Sequence, residues 1–233
     1  RPVKIGWGKA GDERPKEGEI GVITFLPEGA RVLCLGTLGE LAGGINRGGT
    51  FTLKGSASSM LGAYHIAGRT LVEKDAGDKV GLRMSGGEIT IQGSIGNEGG
   101  AGMTGGTIVV QGHAGSRLGA GMSEGAILVM GSVGTEPGLG MSGGRIIVSG
   151  SCPPPGQGVI MRSIEDGEIS EFTHLLDPLD LSLNQDALIL EPAKNLAGPD
   201  VSPESFVAEG FDRVTLTPSN EDRLPNHVPL DHY

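Results

Sequence analysis

Short apolar runs alternate with glycine-rich polar turns along this chain, and the alternation has a fixed period. Met84, Met103, Met122 and Met141 stand 19 residues apart. Each is followed by a small polar residue, a glycine turn and a short apolar strand ending in glycine: MSGGEITIQG, MTGGTIVVQG, MSEGAILVMG and MSGGRIIVSG. Weaker copies continue upstream in the same register, HIAGRTLVEK from His65, NRGGTFTLKG from Asn46 and PEGARVLCLG from Pro27. Inside each run apolar residues recur at every second position, the period of a strand with one face buried. Ile89/Ile91, Ile108/Val110, Ile127/Val129 and Ile146/Val148 form the inward pairs, continued by Val32/Cys34, Phe51/Leu53 and Thr70/Val72.

A 19-residue unit is too short for a strand, a helix and a return. It suits a coil of two or three short strands joined by tight corners. Stacked coils pair as parallel strands about 4.8 Å apart, so seven of them make a rod roughly 30–35 Å long. The expected fold is therefore all-β, a right-handed parallel β-helix of about seven 19-residue coils. The hand follows from the preference of parallel crossovers. A second pattern, GxxGxxxG, follows the strand: Gly36/Gly39/Gly43, Gly93/Gly96/Gly100, Gly112/Gly115/Gly119 and Gly131/Gly134/Gly138, with Ser58 and Lys74 each replacing one glycine elsewhere. Such glycines suit corners that need positive φ or close backbone approach.

Three segments are expected: a short N-terminal cap at 1–26, the β-helix at 27–159, and a C-terminal cap with an extended tail at 160–233. Pro153-Pro154-Pro155 must end the ladder, because proline has no N–H to donate. The apolar patches Ile160-Met161 and Ala187–Leu190 could cover the last coil, since an open solenoid end needs a cap. From Pro192 to Tyr233 the chain is polar, carries six prolines and reads as irregular.

Composition narrows the function. Gly at 43 of 233 residues, with aromatics at 3%, fits thin repeated layers better than one bulky core. The net charge of −10, without a basic stripe, argues against nucleic acid as a partner. No apolar run reaches the ~18 residues of a membrane span, no signal-peptide pattern is present, and a cytoplasmic protein is expected. The first residue is Arg1, not Met, which leaves a preceding segment open. Cys34 and Cys152 are far apart, and the histidines His65, His113, His174, His227 and His232 show no ligand spacing, so no metal, cofactor or disulfide framework is expected in this chain.

Two motifs tempt and fail. Gly100-Ala101-Gly102-Met103-Thr104-Gly105 and Gly138-Leu139-Gly140-Met141-Ser142-Gly143 satisfy GxGxxG, but a strand pattern follows where a dinucleotide fold needs a helix. GxSxG occurs around Ser123 and Ser142, yet these serines hold the repeat position of Ser85 and Thr104, and a nucleophile is not repeated at every coil. No catalytic residue is expected. Lys54, Arg69, Lys74, Lys79 and Arg83 cluster in the middle coils and offer a candidate docking face for an acidic partner. Trp7, the single tryptophan, is a candidate interface anchor.

GxxGxxxG followed by GM(S/T)GGxIxVxG resembles a domain shared by two enzyme groups, over residues 27–150. One is the C-terminal domain of the glutamate synthase large subunit. The other is the β-helical subunit of formylmethanofuran dehydrogenase, with its relative in the formyltransferase/hydrolase complex. A β-helix standing almost alone looks more like the second. That resemblance implies a non-catalytic scaffold subunit of a cytoplasmic hetero-oligomer that handles a one-carbon unit. Zinc, a molybdenum or tungsten pterin and iron–sulfur clusters would then belong to partner subunits. The alternative is a glutamate-synthase-type domain acting as a separate subunit.

Overall fold

The computed structural model describes residues 3–5, 19–183 and 186–193. Its ten strands form one sheet. After β1 (Val3–Ile5) come β2 (Arg31–Leu35), β3 (Arg47–Lys54), β4 (Ala67–Val72), β5 (Glu88–Ile91), β6 (Thr104–Val110), β7 (Glu124–Val129) and β8 (Arg145–Val148). All pair parallel in chain order, and from β2 onward the core register advances by one repeat: Val32 faces Phe51, then Thr70, Ile89, Ile108, Ile127 and Ile146. Each strand thus returns to its own sheet one turn later. This is a parallel β-solenoid, with six full turns between β2 and β8, close to the seven coils expected.

A second ladder closes each coil. Leu38, Ala57, Ala76, Ile95, Ala114 and Val133 bridge one to the next, again parallel. Between this ladder and the sheet lies the core. Phe51, Leu53, Ile89, Ile91, Ile108 and Ile127 are fully buried, as are Met84, Met103 and Met122. Burying side chains of this size contributes about 1.5–3 kcal/mol each. The core is long and thin, each coil covering the one below.

The corners explain the glycines. At the last glycine of each GxxGxxxG motif the backbone is left-handed, as at Gly119 (φ +66°), and a Cβ there would sit 2.6 Å from the Ile146 Cδ1 of the next coil. Gly121 is also left-handed (φ +67°), but its Cβ would meet nothing within 4 Å. One glycine is required by packing as well as conformation, the other is favoured by conformation alone.

Both ends depart from the regular repeat. Residues 19–26 lie along the edge of the first turn, where Gly21, Phe25 and Leu26 bond to the coil above through Glu40, Gly44 and Arg47. That turn runs one residue longer at its corner, and Val3 pairs with Val32, 29 residues on, so a 19-residue period passes over it. At the other end, β9 (Val159–Ser163) and β10 (Leu188–Pro192) add antiparallel strands, with β10 lying on β8 and β9 outermost. They terminate the parallel ladder after the proline run.

Between β9 and β10 stands α1 (Asp166–Leu176), an element the periodicity did not predict. Its Ile169, Phe172 and Leu176 lie one to two turns apart on one face. They pack on Val109, Leu128 and Ile147, the outward column of the last three parallel strands. The sheet there is apolar on both sides for that reason. Arg145 reaches the helix twice, 5.6 Å over the Phe172 ring and 2.9 Å from Glu171. Arg162 joins β9, helix and β10: its guanidinium donates to both carboxylate oxygens of Glu168 (2.7 and 2.8 Å) and to Glu191 (3.1 Å). The Arg162 bonds and the Glu165 N–H hold the Glu168 carboxyl down at about 2.

Two substitutions separate the demands of corner and core. Gly121→Ala is expected to lose about 1 kcal/mol, the cost of left-handed backbone with a Cβ. Gly119→Ala is expected to lose about 2–4 kcal/mol, because overpacking against Ile146 is added. Equilibrium denaturation of the two variants checks the ordering, and equal losses would show that the corner, not the core, sets the requirement.

Candidate functional site

Stacking in register puts every side chain over its counterpart one coil away, so polar side chains form columns. Asp75 Oδ1 accepts from the Ser94 N–H (2.7 Å), Ser94 Oγ from His113 (3.0 Å), His113 Nδ1 from Ser132 (2.9 Å) and Ser132 Oγ from Ser151 (3.2 Å). A parallel column joins Asp78, Asn97, Ser116 and Thr135 in the same way. Each side chain takes an N–H that the corner leaves without a strand partner. His113 is therefore one rung among serines and an aspartate.

The five basic residues are dispersed around the coil. Lys54 and Arg69 lie on the outward side of the sheet, alternating with Leu53 and Thr70 of the core. Lys74 follows the end of β4, while Lys79 and Arg83 occupy left-handed corner positions (φ +59° and +51°). Three are paired with the acid one coil on: Lys54 with Glu73 at 2.9 Å, Arg69 with Glu88 at 3.3 Å, and Lys79 with Glu98 at 3.7 Å, Glu98 also holding Arg117. Exposed pairs of this kind contribute about 0–1 kcal/mol. Among the described residues Lys74 and Arg83 have no ion-pair partner. The structure does not bring the five together as one docking face. Trp7, His227 and His232 lie outside the described residues, as do the side chain of His174 and the tail beyond Ala193.

The tempting motifs fall where the repeat placed them. Thr104, next to the last glycine of the first GxGxxG, begins strand β6 rather than a helix. Ser123 and Ser142 sit in the corner column of Ser85 and Thr104. Burial pushes both thiols up, Cys152 to about 11, so neither is a thiolate near neutrality. Among the described residues no group of three or more His, Cys, Asp or Glu is placed to hold a metal ion. Shallow open grooves among the described residues flank the sheet, two of which bear on the candidate residues. One of about 360 Å³ is lined by Gly106, Thr107, Glu124, Arg145 and Phe172, the other of about 320 Å³ by Gly68, Arg69, Glu88 and Thr107. Their arginines are already paired, Arg145 with Glu171 and Arg69 with Glu88.

One corner escaped the sequence reading. The column that is Gly102, Gly121 and Gly140 in the later coils is Phe25, Ile45, Tyr64 and Arg83 in the earlier ones, still with left-handed backbone. The signal was available as three glycines at a fixed spacing whose upstream counterparts are bulky, but the first counterpart lies 20 residues below the second and breaks the count. No protein-family model matches this chain, and no curated protein matches it significantly.

His65 replaces methionine in the column of Met84, Met103 and Met122, and is fully buried. Its Nδ1 donates to the Gly86 carbonyl (2.9 Å), which leaves Nε2 to accept from the Thr70 hydroxyl (3.2 Å). Desolvation lowers its pKa below the usual 6.5, against a smaller opposing effect of the Gly86 bond. The unfolded chain therefore binds the proton more readily, and stability falls as pH drops below about 6.5. Replacing the pair by its repeat counterparts, His65→Met with Thr70→Ile, is expected to flatten thermal stability between about pH 6.5 and 5 relative to wild type. His65→Met alone orphans the Thr70 hydroxyl and costs about 1–3 kcal/mol. Thermal melts across that range read both effects, and an unchanged slope in the double variant would remove His65 as the source.

Proposed function

We propose that this protein is a non-catalytic scaffold subunit of a multi-subunit enzyme complex of one-carbon metabolism, of the formylmethanofuran dehydrogenase or formyltransferase/hydrolase type. The observation that carries the reading is the repeat GxxGxxxG–GM(S/T)GGxIxVxG, folded as a solenoid whose polar columns are spent on one another. A rod tied coil to coil by backbone ladders, side-chain rungs and alternating charges is rigid along its axis. Such a body offers flat docking surfaces to catalytic partners and keeps them at fixed separation. Redox centres and catalytic metals would belong to those partners, and the complex would be cytoplasmic. No helix among the described residues is long and apolar enough to cross a membrane.

Native purification from the source organism, with mass spectrometry of co-eluting chains, tests the reading. An amidohydrolase-like and a formyltransferase-like chain in fixed ratio are the expected outcome, and a pterin-binding chain beside them would indicate the dehydrogenase. Amidotransferase and synthase chains would replace this reading by the glutamate-synthase one. A lone 23.8 kDa chain would end the scaffold account.

A further inference from the structure

We infer that the corner formed by Phe25, Ile45, Tyr64 and Ile66 is the docking site for a partner protein presenting apolar side chains rimmed by carboxylates. The inference rests on the scaffold reading and names where on the rod a partner binds. Phe25, Tyr64 and Ile66 are 56%, 45% and 46% exposed, and they include half of the large, exposed hydrophobic side chains among the described residues. Phe25, Ile45 and Tyr64 stack in one column, bonded coil to coil through Gly44, Ala63 and Leu82. Ile66 stands two residues beyond Tyr64, beside Arg47 of the coil before. Phe25, Tyr64 and Ile66 thus expose apolar surface at neighbouring positions of one corner, with Ile45 half-buried in the same column, and clustered exposed apolar side chains mark interaction surfaces.

Folding does not ask for these residues. Phe25, Ile45 and Tyr64 hold left-handed backbone at φ +57°, +54° and +57°, where a bulky or β-branched side chain is strained. The same column uses glycine in three later coils, and Ser85, Thr104, Ser123 and Ser142 follow Ile66 in its own column. Bulky left-handed residues also fill the neighbouring corner column from Leu41 to Glu136, so what sets this corner apart is apolar exposure at Phe25 and Tyr64 in a column where later coils use glycine.

Charge selects the partner. Arg47 lies 5.6 Å over the Phe25 ring, Arg83 ends the column, and both are exposed without an ion-pair partner among the described residues. Glu28 is the single acid in the adjoining column of these coils, beside Gly48. A second copy packed across a two-fold axis would face Arg47 and Arg83 with their own counterparts, so like charges disfavour it. A surface with carboxylates around an apolar centre satisfies both features.

The test uses the full chain expressed in its source organism. The variant Phe25→Gly, Ile45→Gly, Tyr64→Gly, Ile66→Ser installs the later coils' own residues. Its Tm is expected to equal or exceed that of wild type, while one co-purifying protein is lost, with affinity at least about tenfold weaker. A photoreactive phenylalanine at position 64 alone is expected to cross-link that protein at a segment containing apolar and acidic residues. The yield should fall as salt is raised. Retention of every partner by the variant, or cross-linking only to a second copy, overturns the docking site and leaves the scaffold reading intact. A variant Tm well below wild type would make these side chains structural. If wild type co-purifies with no partner, both readings fall.

Discussion

Everything in this molecule depends on stacking in register. Each residue of a coil lies over the residue 19 positions earlier, at the ~4.8 Å spacing of paired strands. At that distance the choice of one side chain constrains the next. Apolar residues repeat because a buried column is continuous: Ile89, Ile108, Ile127 and Ile146 each fill the gap left by the one below. Charges cannot repeat, since like ions stacked so closely repel. The exterior accordingly alternates, Lys54 over Glu73, Arg69 over Glu88, Lys79 over Glu98 over Arg117. Corner N–H groups that miss the sheet are taken by a polar side chain of the coil before, and that need explains why Asp75, Ser94, His113 and Ser132 are interchangeable in one column.

This constraint also decided what the sequence disclosed. Seven strand copies were readable because an error of one residue would turn every apolar side chain outward. The inward pairs from Cys34 to Val148 were all identified. A basic cluster was visible too, but its geometry was not: linear proximity of Lys54, Arg69 and Lys74 says nothing of the acid one coil away, and pairing by 19 dissolves most of the cluster into neutral ion pairs. The polar substitutions in the methionine column were legible only as exceptions. Their reason is local chemistry: Asn46 bonds the Gly48 and Gly49 N–H groups and the Gly49 carbonyl, and His65 bonds Thr70, which itself replaces an isoleucine.

The ends of the rod were harder to read because the period fails there. The first turn is longer than the rest, so its corner falls outside the 19-residue frame. Helix α1 carries its own period of 3.6, and its Glu165 and Glu168 pairing at the N-terminus resembles a cap signal lost among polar neighbours. The sheet carries a partial signal of the helix. Ile108-Val109-Val110, Ile127-Leu128-Val129 and Ile146-Ile147-Val148 are apolar at three successive positions, and a strand apolar on both faces favours cover on both. Leu33 and Leu71 are apolar at the same outward position outside the helix cluster, so the pattern alone does not place the helix.

The repeat supplies its own reference state, which individual proteins seldom offer. At each column the other coils show what the fold accepts without further demand, so a departure separates into two kinds. His65 with Thr70 and Asn46 with its glycine neighbours are departures that satisfy themselves inside the molecule. Phe25, Ile45 and Tyr64 are departures of another kind: Phe25 and Tyr64 are exposed, Ile45 is half-buried, all three hold left-handed backbone, and Arg47 and Arg83 beside them have no ion-pair partner among the described residues. Departures of the second kind, judged against the glycines that the same column carries in later coils, are where the proposed docking site is sought.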